Sequence, residues 1–420
     1  MNTGHYEAAF GKADKTSYAM KKARQKWEDC YFGKGTGDTG QRVAYTIVNK
    51  IVGALFGEYK CICNSAFAPL DEKRREAMQY LLTGGECFIK PCPTPVGFDF
   101  TLIPRGNVLI FGRDADGKPK DIGTYEQSIR GKHYYTLLER RQVGDDGLLT
   151  IENTLYRSSN RESLGMQVGL SEHPLYASLP GKYQFPVPMG LGLVGMKTPI
   201  LNCVDGSPDG VAVYAPAVEL IESINENEKQ LSQEFARAES RIIASSDLID
   251  RELGLKDHLF VGLDDSPEAV GITVFSPKIR EESFLNRKQE YLRNVESIIG
   301  LRRGMLSDAQ VDIRTATEIS SSAGDFNLVV RSYQQVWEKA FREVAELCRT
   351  LAELYGLPVP EGEISFDWGN GVLYDEDKTW ADYKDMVKNG LIAPEVALGW
   401  RFGLPSASEE EREKIRKVYM

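Results

Sequence analysis

Gly35-Thr36-Gly37-Asp38-Thr39-Gly40 has the spacing Gly-x-Gly-x-x-Gly, which lets a backbone approach a pyrophosphate in a dinucleotide fold. That chemistry needs a strand before the glycines and a helix after them. Here a helical pattern precedes them, and Gly33-Lys34-Gly35-Thr36 breaks the spacing of a phosphate-binding P-loop, so the stretch reads as a mobile loop. Asp114-Ala115-Asp116-Gly117 opens like a calcium loop, but Tyr125 stands where the twelfth position needs Glu, and a hairpin turn is the better reading. Cys61-x-Cys63 with Cys87 and Cys92 could offer four thiolates. Their spacing is not the Cys-x2-Cys of zinc ribbons, and they read as buried free thiols. His5, His133, His173 and His258 each stand alone, with no nucleophile motif beside them. Glu281-Glu282 and Asp264-Asp265 fall in helix-start or turn contexts and read as solvated pairs. No catalytic residue, metal or cofactor is expected.

The better lead is basic. Arg302-Arg303 follows a helical pattern, then come Gly304-Met305-Leu306-Ser307 and Arg314. Cations at a helix C-terminus can simply complement its dipole. They can also touch phosphates without reading sequence. The segment Leu301–Arg314 is too short to fold alone, so the flanking helices must display it.

Those helices are legible. Ala217, Ile221, Ile224, Leu231, Phe235 and Ala238 recur at helical spacing, with Glu228 in the one skipped slot, over roughly 22 residues or ~33 Å. Phe284, Leu285, Tyr291, Leu292, Val295, Ile298 and Ile299 repeat the pattern over Arg280–Ile299. Between them Ile242–Ala244, Leu259–Val261 and Ile272–Phe275 read as short strands. After the loop, Thr315-Ala316-Thr317-Glu318 fits a capping box. A helix then holds Phe326, Val330, Tyr333, Trp337, Ala340, Val344, Leu347, Leu351 and Leu354 on one stripe until Gly356 and Pro358. Such a helix would span ~60 Å. Upstream, helices are expected over 14–32, 41–56 and 70–82. From Glu86 to about Val204 an antiparallel sheet is expected, with Asp-Gly hairpins at Asp116-Gly117 and Asp146-Gly147. The tail from Glu363 to Met420 reads as a strand, an acidic segment and two short helices.

The 420 residues carry a formal net charge of −10, with 42% hydrophobic and 27% charged residues, so the chain is globular and does not wrap nucleic acid in a basic surface. No run approaches the ~18–20 apolar residues of a membrane span, and Met1-Asn2-Thr3-Gly4-His5 opens without an apolar signal core. No membrane contact is expected, and synthesis in the cytoplasm is. Seven Cys, an odd number, argue against a complete disulfide framework.

The order of elements is specific: mixed α/β region, helix, strand insert, helix, short loop, very long helix, small tail. Ile298-Ile299-Gly300-Leu301, Met305-Leu306-Ser307 and Arg314-Thr315-Ala316-Thr317-Glu318-Ile319 resemble the portal proteins of tailed bacteriophages of the siphovirus type. In that family a Thr-Ala-Thr-Glu-Ile-like run opens the long helix. Trp27 with Tyr31-Phe32-Gly33, Asp209-Gly210-Val211 through Ala217, and Lys388-Asn389-Gly390-Leu391-Ile392 with Ala397 extend the resemblance over about Lys26–Lys417.

The resemblance implies an α+β, ring-forming fold. Residues 1–213 would be a wing, 214–240 and 278–300 stem helices, and 241–277 a clip. The tunnel loop would be 301–314, the long wing helix 315–356, and a wing-return with a short crown 357–420. It implies a dodecameric ring at one capsid vertex, assembled in the host cytoplasm, through which double-stranded DNA is packaged and ejected without sequence-specific contact. Partners would be the terminase large subunit, a head-tail adaptor, and the major capsid and scaffolding proteins. Arg302, Arg303, Met305 and Arg314 would face DNA; Asp250, Arg251, Lys256, Asp264 and Asp265 would meet partners at the clip. The competing readings are a DNA-associated nuclease or NTPase of a mobile element, for which neither a clustered Asp/Glu/Lys constellation nor a phosphate loop is present, and a cellular structural ring.

Overall fold

The computed structural model describes the chain apart from residues 1–3, 35–36, 96, 239–240, 246–259, 264–272, 276–277, 309–315, 370–375, 403, 405, 407 and 420. It divides into two units, Met1–Phe56 with Cys61–Phe366, and Gly57–Lys60 with Asp367–Met420. Helices and sheets alternate along it, an α+β chain as expected.

The helices near the start are shorter than their sequence pattern. α1 (Gly4–Phe10) precedes α2 (Tyr18–Phe32), where one helix over 14–32 is expected. The Asp14 carboxylate accepts the Thr16 and Ile110 N–H groups at 3.1 and 3.0 Å, which ties residues 14–16 to a strand instead. Ser17 then caps α2 by accepting the Met20 N–H at 3.1 Å, and Gly33 closes it at φ 63°. α3 (Val43–Leu55) buries Ile47, Val48, Ile51 and Leu55. β1 (Lys60–Ile62) follows. The helix expected over 70–82 is two, α4 (Ala68–Glu72) and α5 (Arg74–Gly84), broken at Lys73, whose Nζ donates to Asp99 Oδ1 at 2.9 Å.

Nine strands follow, β2 (Glu86–Thr94), β3 (Gly97–Pro104), β4 (Val108–Arg113), β5 (Pro119–Arg130), β6 (His133–Val143), β7 (Leu148–Ser158), β8 (Met166–Val168), β9 (Lys182–Pro188) and β10 (Val194–Lys197), and they build two sheets, not one. One has the order β10-β2-β3; the other runs β4-β5-β6-β7-β8, with β9 also on β7. All their pairings are antiparallel. The separation falls at Arg105, whose side chain is buried and donates inward, so β3 cannot run on into β4. Both Asp-Gly turns form hairpins: Gly117 and Gly147 both stand at φ 78°. In the first, Asp114 Oδ1 accepts from Asp116 and Lys118 N–H at 3.0 and 2.8 Å, so this carboxylate is used by its own turn. α1 lies on the larger sheet, with Tyr6 stacked on Tyr125 at 4.1 Å between ring centroids.

Residues 209–213 cross the end of α5 and the start of β2. Val213 N–H donates to Leu82 O at 2.9 Å and Thr198 Oγ1 to Val211 O at 2.8 Å. The backbones touch: a Cβ on Gly210 would lie 2.2 Å from Gly85 O. Gly210→Ala is therefore expected to cost about 1–3 kcal/mol, because neither backbone can move aside without breaking these bonds. The urea midpoint of the variant measures it; an unchanged midpoint would show that the crossing has slack.

The chain then enters α6 (Val218–Arg237), a small sheet, and α7 (Glu281–Ile299). The sheet is β11 (Arg241–Ser245), β12 (Phe260–Leu263) and β13 (Thr273–Phe275), in the order β12-β11-β13, with β12 parallel and β13 antiparallel to β11. α8 (Ala316–Tyr355) is the long helix. It buries Phe341, Ala345, Cys348 and Ala352 besides most of the expected stripe, of which Val330 and Leu354 are half-buried, because it packs on β2 and β10 and also on α3. Trp337 is wholly buried between the Phe56 and Phe341 rings, at 6.2 and 5.9 Å between centroids. Gly356 at φ 63° ends α8, and Leu357 N–H reaches back to Ala352 O at 2.9 Å. β14 (Ser365–Asp367) pairs with β1.

The second unit has three described helices where two are expected: α9 (Glu376–Lys388), α10 (Pro394–Phe402) and α11 (Glu409–Tyr419). The motif Lys388–Ile392 is a helix stop: Gly390 has φ 69°, and Leu391 N–H donates to Met386 O at 2.8 Å. Ser408 and Glu411 form a capping box that starts α11, at 3.3 and 2.9 Å. Phe402 stacks on Tyr419 at 4.5 Å.

Candidate functional site

The helix pair α6–α7 sets the site. Three polar links lock its register. Asn227, buried in the α6 stripe, donates to Phe284 O at 3.1 Å; Glu228 pairs with Lys288 at 3.1 Å; and Glu234 pairs with Arg280 at 2.8 Å. The slot at Glu228 that interrupts the apolar repeat is thus filled by an ion pair across the two helices. The Arg280 guanidinium and its N–H bond hold the Glu234 carboxyl below its ordinary range.

The root of α6 is anchored by a buried charge node. Asp209 Oδ1 lies 3.2 Å from Arg24, 3.3 Å from Arg105 and 2.8 Å from Arg113. Arg105 also meets Glu86 at 2.6 Å, and the other Glu86 oxygen accepts the Gly210 N–H at 3.2 Å. Burial pushes the Asp209 carboxyl up, but the guanidiniums of Arg24, Arg105 and Arg113 outweigh it and leave it below the usual range. Burial and the neighbouring Arg105 charge bring the Arg24 guanidinium down to about 10. Asp209-Gly210-Val211 is therefore an anion, a close backbone crossing and a buried strand-like step that aim the helix.

At the other end, α7 stops at Gly300, φ 76°, whose N–H bonds to Glu296 O; Leu301 N–H reaches the same oxygen at 2.8 Å. Met305 N–H then donates to Arg302 O at 3.2 Å, with Gly304 at φ 90°, where a type II turn needs glycine. The turn puts Arg303 in solvent and leaves Arg302 and Met305 half-buried. The Glu296 side chain, 1% exposed, lies beneath it. Its carboxylate accepts the N–H groups of Gly304 (3.1 and 3.2 Å), Leu306 (2.5 Å) and Ser307 (2.9 Å) and the Ser307 hydroxyl (2.9 Å). Asp308 N–H donates to Gln289 Oε1 at 2.8 Å. Gly300 also packs close to α8: a Cβ there would meet Val329 Cγ2 at 2.9 Å.

Of the residues expected to face DNA, Arg302, Arg303 and Met305 share this turn, and Arg314 lies outside the described residues. So do the clip residues Asp250, Arg251, Lys256, Asp264 and Asp265, and Thr315 of the expected capping box. Glu296 was not expected from the sequence. Its signal is there: it sits four residues after Leu292 and three before Ile299, inside the buried stripe of an amphipathic helix, where a carboxylate needs a reason.

Other candidates resolve differently. Thr39 N–H and Oγ1 both donate to Asn225 Oδ1, at 3.3 and 2.9 Å, so the end of the glycine-rich loop is tied to α6. His173 is buried between Tyr135 and Tyr176, at 4.9 and 5.0 Å between centroids, a packing role. Cys87 is buried on β2, which pushes its thiol up. Among the described residues, no group of three or more His, Cys, Asp or Glu could hold a metal ion, and no helix is long and apolar enough to cross a membrane.

A family model described as phage portal protein, SPP1 Gp6-like, matches residues 125–418. The chain belongs to this family. The match runs from β5 to α11 and includes the helix pair, the arginine-bearing turn and the long helix, so the resemblance read from the sequence holds over most of its span. Membership ties the chain to the bacteriophage capsid and to DNA packaging, in a family that is structural rather than enzymatic. No curated protein matches the sequence.

Proposed function

We propose that this portal-family chain is one subunit of a closed, twelve-membered ring at a capsid vertex, assembled in the host cytoplasm, whose central channel carries double-stranded DNA during packaging and ejection. In this reading the α6–α7 pair is the stem, residues 241–277 are the clip, and residues 301–314 form the tunnel loop at the constriction. The three-stranded clip sheet docks the terminase large subunit and later the head-tail adaptor, with Asp250, Arg251, Lys256, Asp264 and Asp265 as its contacts. Residues 1–213 and 315–356 form the wing that meets capsid and scaffolding proteins, and 357–420 the wing-return and short crown. The subunit has no catalysis of its own.

The observation that carries this is the family match together with an arginine-bearing turn held on a locked helix pair. Phe235, Leu285 and Ile298 on the pair and Leu328 on α8 are 45–66% exposed in the single chain, apolar surface that a head-to-tail neighbour would cover. A chain of net charge −10 with few cations at its constriction lets DNA slide, since each phosphate contact adds affinity and salt dependence.

Electron microscopy of the purified protein tests the ring: closed rings with a hole wide enough for duplex DNA are expected, and a homogeneous monomer that hydrolyses ATP or DNA would sink the reading. Replacing both Arg302 and Arg303 with Ala is expected to leave rings intact and alter DNA packaging or retention. If rings no longer assemble, these arginines are interface residues and do not serve the channel.

A further inference from the structure

We infer that Glu296 is the positioning residue of the arginine-bearing loop, and that its one side chain sets where Arg302 and Arg303 stand against DNA. The inference rests on the reading of this loop as the channel constriction. Glu296 holds the loop from both sides. Its main-chain oxygen takes Gly300 and Leu301 N–H before the arginines; its carboxylate takes Gly304, Leu306 and Ser307 N–H and the Ser307 hydroxyl after them. Arg302 and Arg303 are the residues between these two sets of bonds, the apex of a loop pinned by one residue.

The chemistry of the pin is selective. Four donors converge on two oxygens: Oε1 takes the Gly304, Leu306 and Ser307 N–H groups, and Oε2 takes the Ser307 hydroxyl and shares the Gly304 N–H, bonds that a charged acceptor strengthens. A carboxamide keeps one acceptor oxygen for the backbone donors but loses the charge that strengthens those bonds, and its N–H₂ group would oppose the Gly304 N–H at the Oε2 position. A leucine at this point would continue the stripe of Leu292, Val295 and Ile299 and bury more apolar surface, but it would leave the loop donors without partners. The helix spends a core position on the loop. Gln289 adds a second, lateral tie at Asp308, also from α7, so the loop moves with this helix.

Trypsin reads the pin directly, because it cleaves after Arg302 and Arg303 and does so only from an opened loop. In the assembled full-length protein, Glu296→Gln is expected to raise cleavage at these two bonds by about tenfold or more. Ring formation and cleavage elsewhere should stay unchanged, and DNA packaging or retention should change as in the Arg302→Ala/Arg303→Ala variant. Ser307→Ala, which removes one donor and keeps the carboxylate, should move cleavage the same way by less; it serves if Glu296→Gln does not fold. Unchanged cleavage in folded Glu296→Gln rings overturns the inference. So does wild-type packaging by Glu296→Gln when the double arginine variant is impaired. If cleavage rises while both variants package normally, the pin stands, and it is the assignment of the loop to the DNA path that fails.

Discussion

Asp209→Ala is expected to destabilise the protein by about 3–5 kcal/mol, because it strips a buried cluster of guanidiniums of their shared anion. Asp209 is 3% exposed and is the shared anion of Arg24, Arg105 and Arg113. Removing it leaves three guanidiniums facing one another, with Arg105 only 2% exposed and unable to reach water. Glu86 remains as an ion-pair partner of Arg105, and it already serves the Gly210 N–H. Asp209→Asn keeps the shape and loses the charge, so it should recover only part of the deficit. Urea denaturation followed by tryptophan fluorescence measures both. Trp27 reports locally, since its carbonyl accepts the Tyr214 hydroxyl at 3.0 Å just past the node. A loss below about 1 kcal/mol would mean that the guanidiniums find other partners.

The second large effect is acid lability centred on Glu139. This β6 carboxylate accepts Arg141 Nε at 2.7 Å and meets Lys90 Nζ at 3.4 Å, while Arg141 donates to Leu191 O at 2.8 Å. The group therefore bridges the larger sheet, β2 of the smaller one and the turn before β10. Burial raises its pKa, but Arg141 and Lys90 outweigh that and bring it down to about 2, from 4.5. A carboxyl depressed on folding contributes its full stability above its unfolded value and loses it as pH falls toward the folded one. The contribution, on the order of 3 kcal/mol, is thus complete above about pH 5 and fades toward pH 2. Asp209, Asp121 and Asp14 are depressed too and act in the same sense. Unfolding midpoints measured from pH 7 down to 3 are expected to fall steadily, and Glu139→Gln should be less stable at pH 7 with a shallower fall. An equally steep fall in that variant would remove Glu139 from the account.

Legibility followed the range of the interactions. The α6, α7 and α8 patterns sit within a residue or two of their observed ends because each is a repeat along one helix face. Both hairpins were readable because an Asp-Gly turn encodes its own φ. The helix expected over 14–32 began late and that over 70–82 broke, each where a side chain answers a distant strand: Asp14 to Ile110, Lys73 to Asp99. One expected sheet became two because Arg105 turns inward, and nothing in its neighbours announces that.

The site divides the same way. From residues alone came the helix pair, the turn carrying Arg302 and Arg303, and the family, since periodicity, glycine placement and motif order are properties of the string. Only the tertiary structure decided that Glu296 holds that turn from both sides, and that Asp209 gathers arginines from positions 24, 105 and 113. Whether a buried charge is a fault or a fastening depends on which partners reach it, and those partners are brought together by packing across the fold rather than by proximity along the chain.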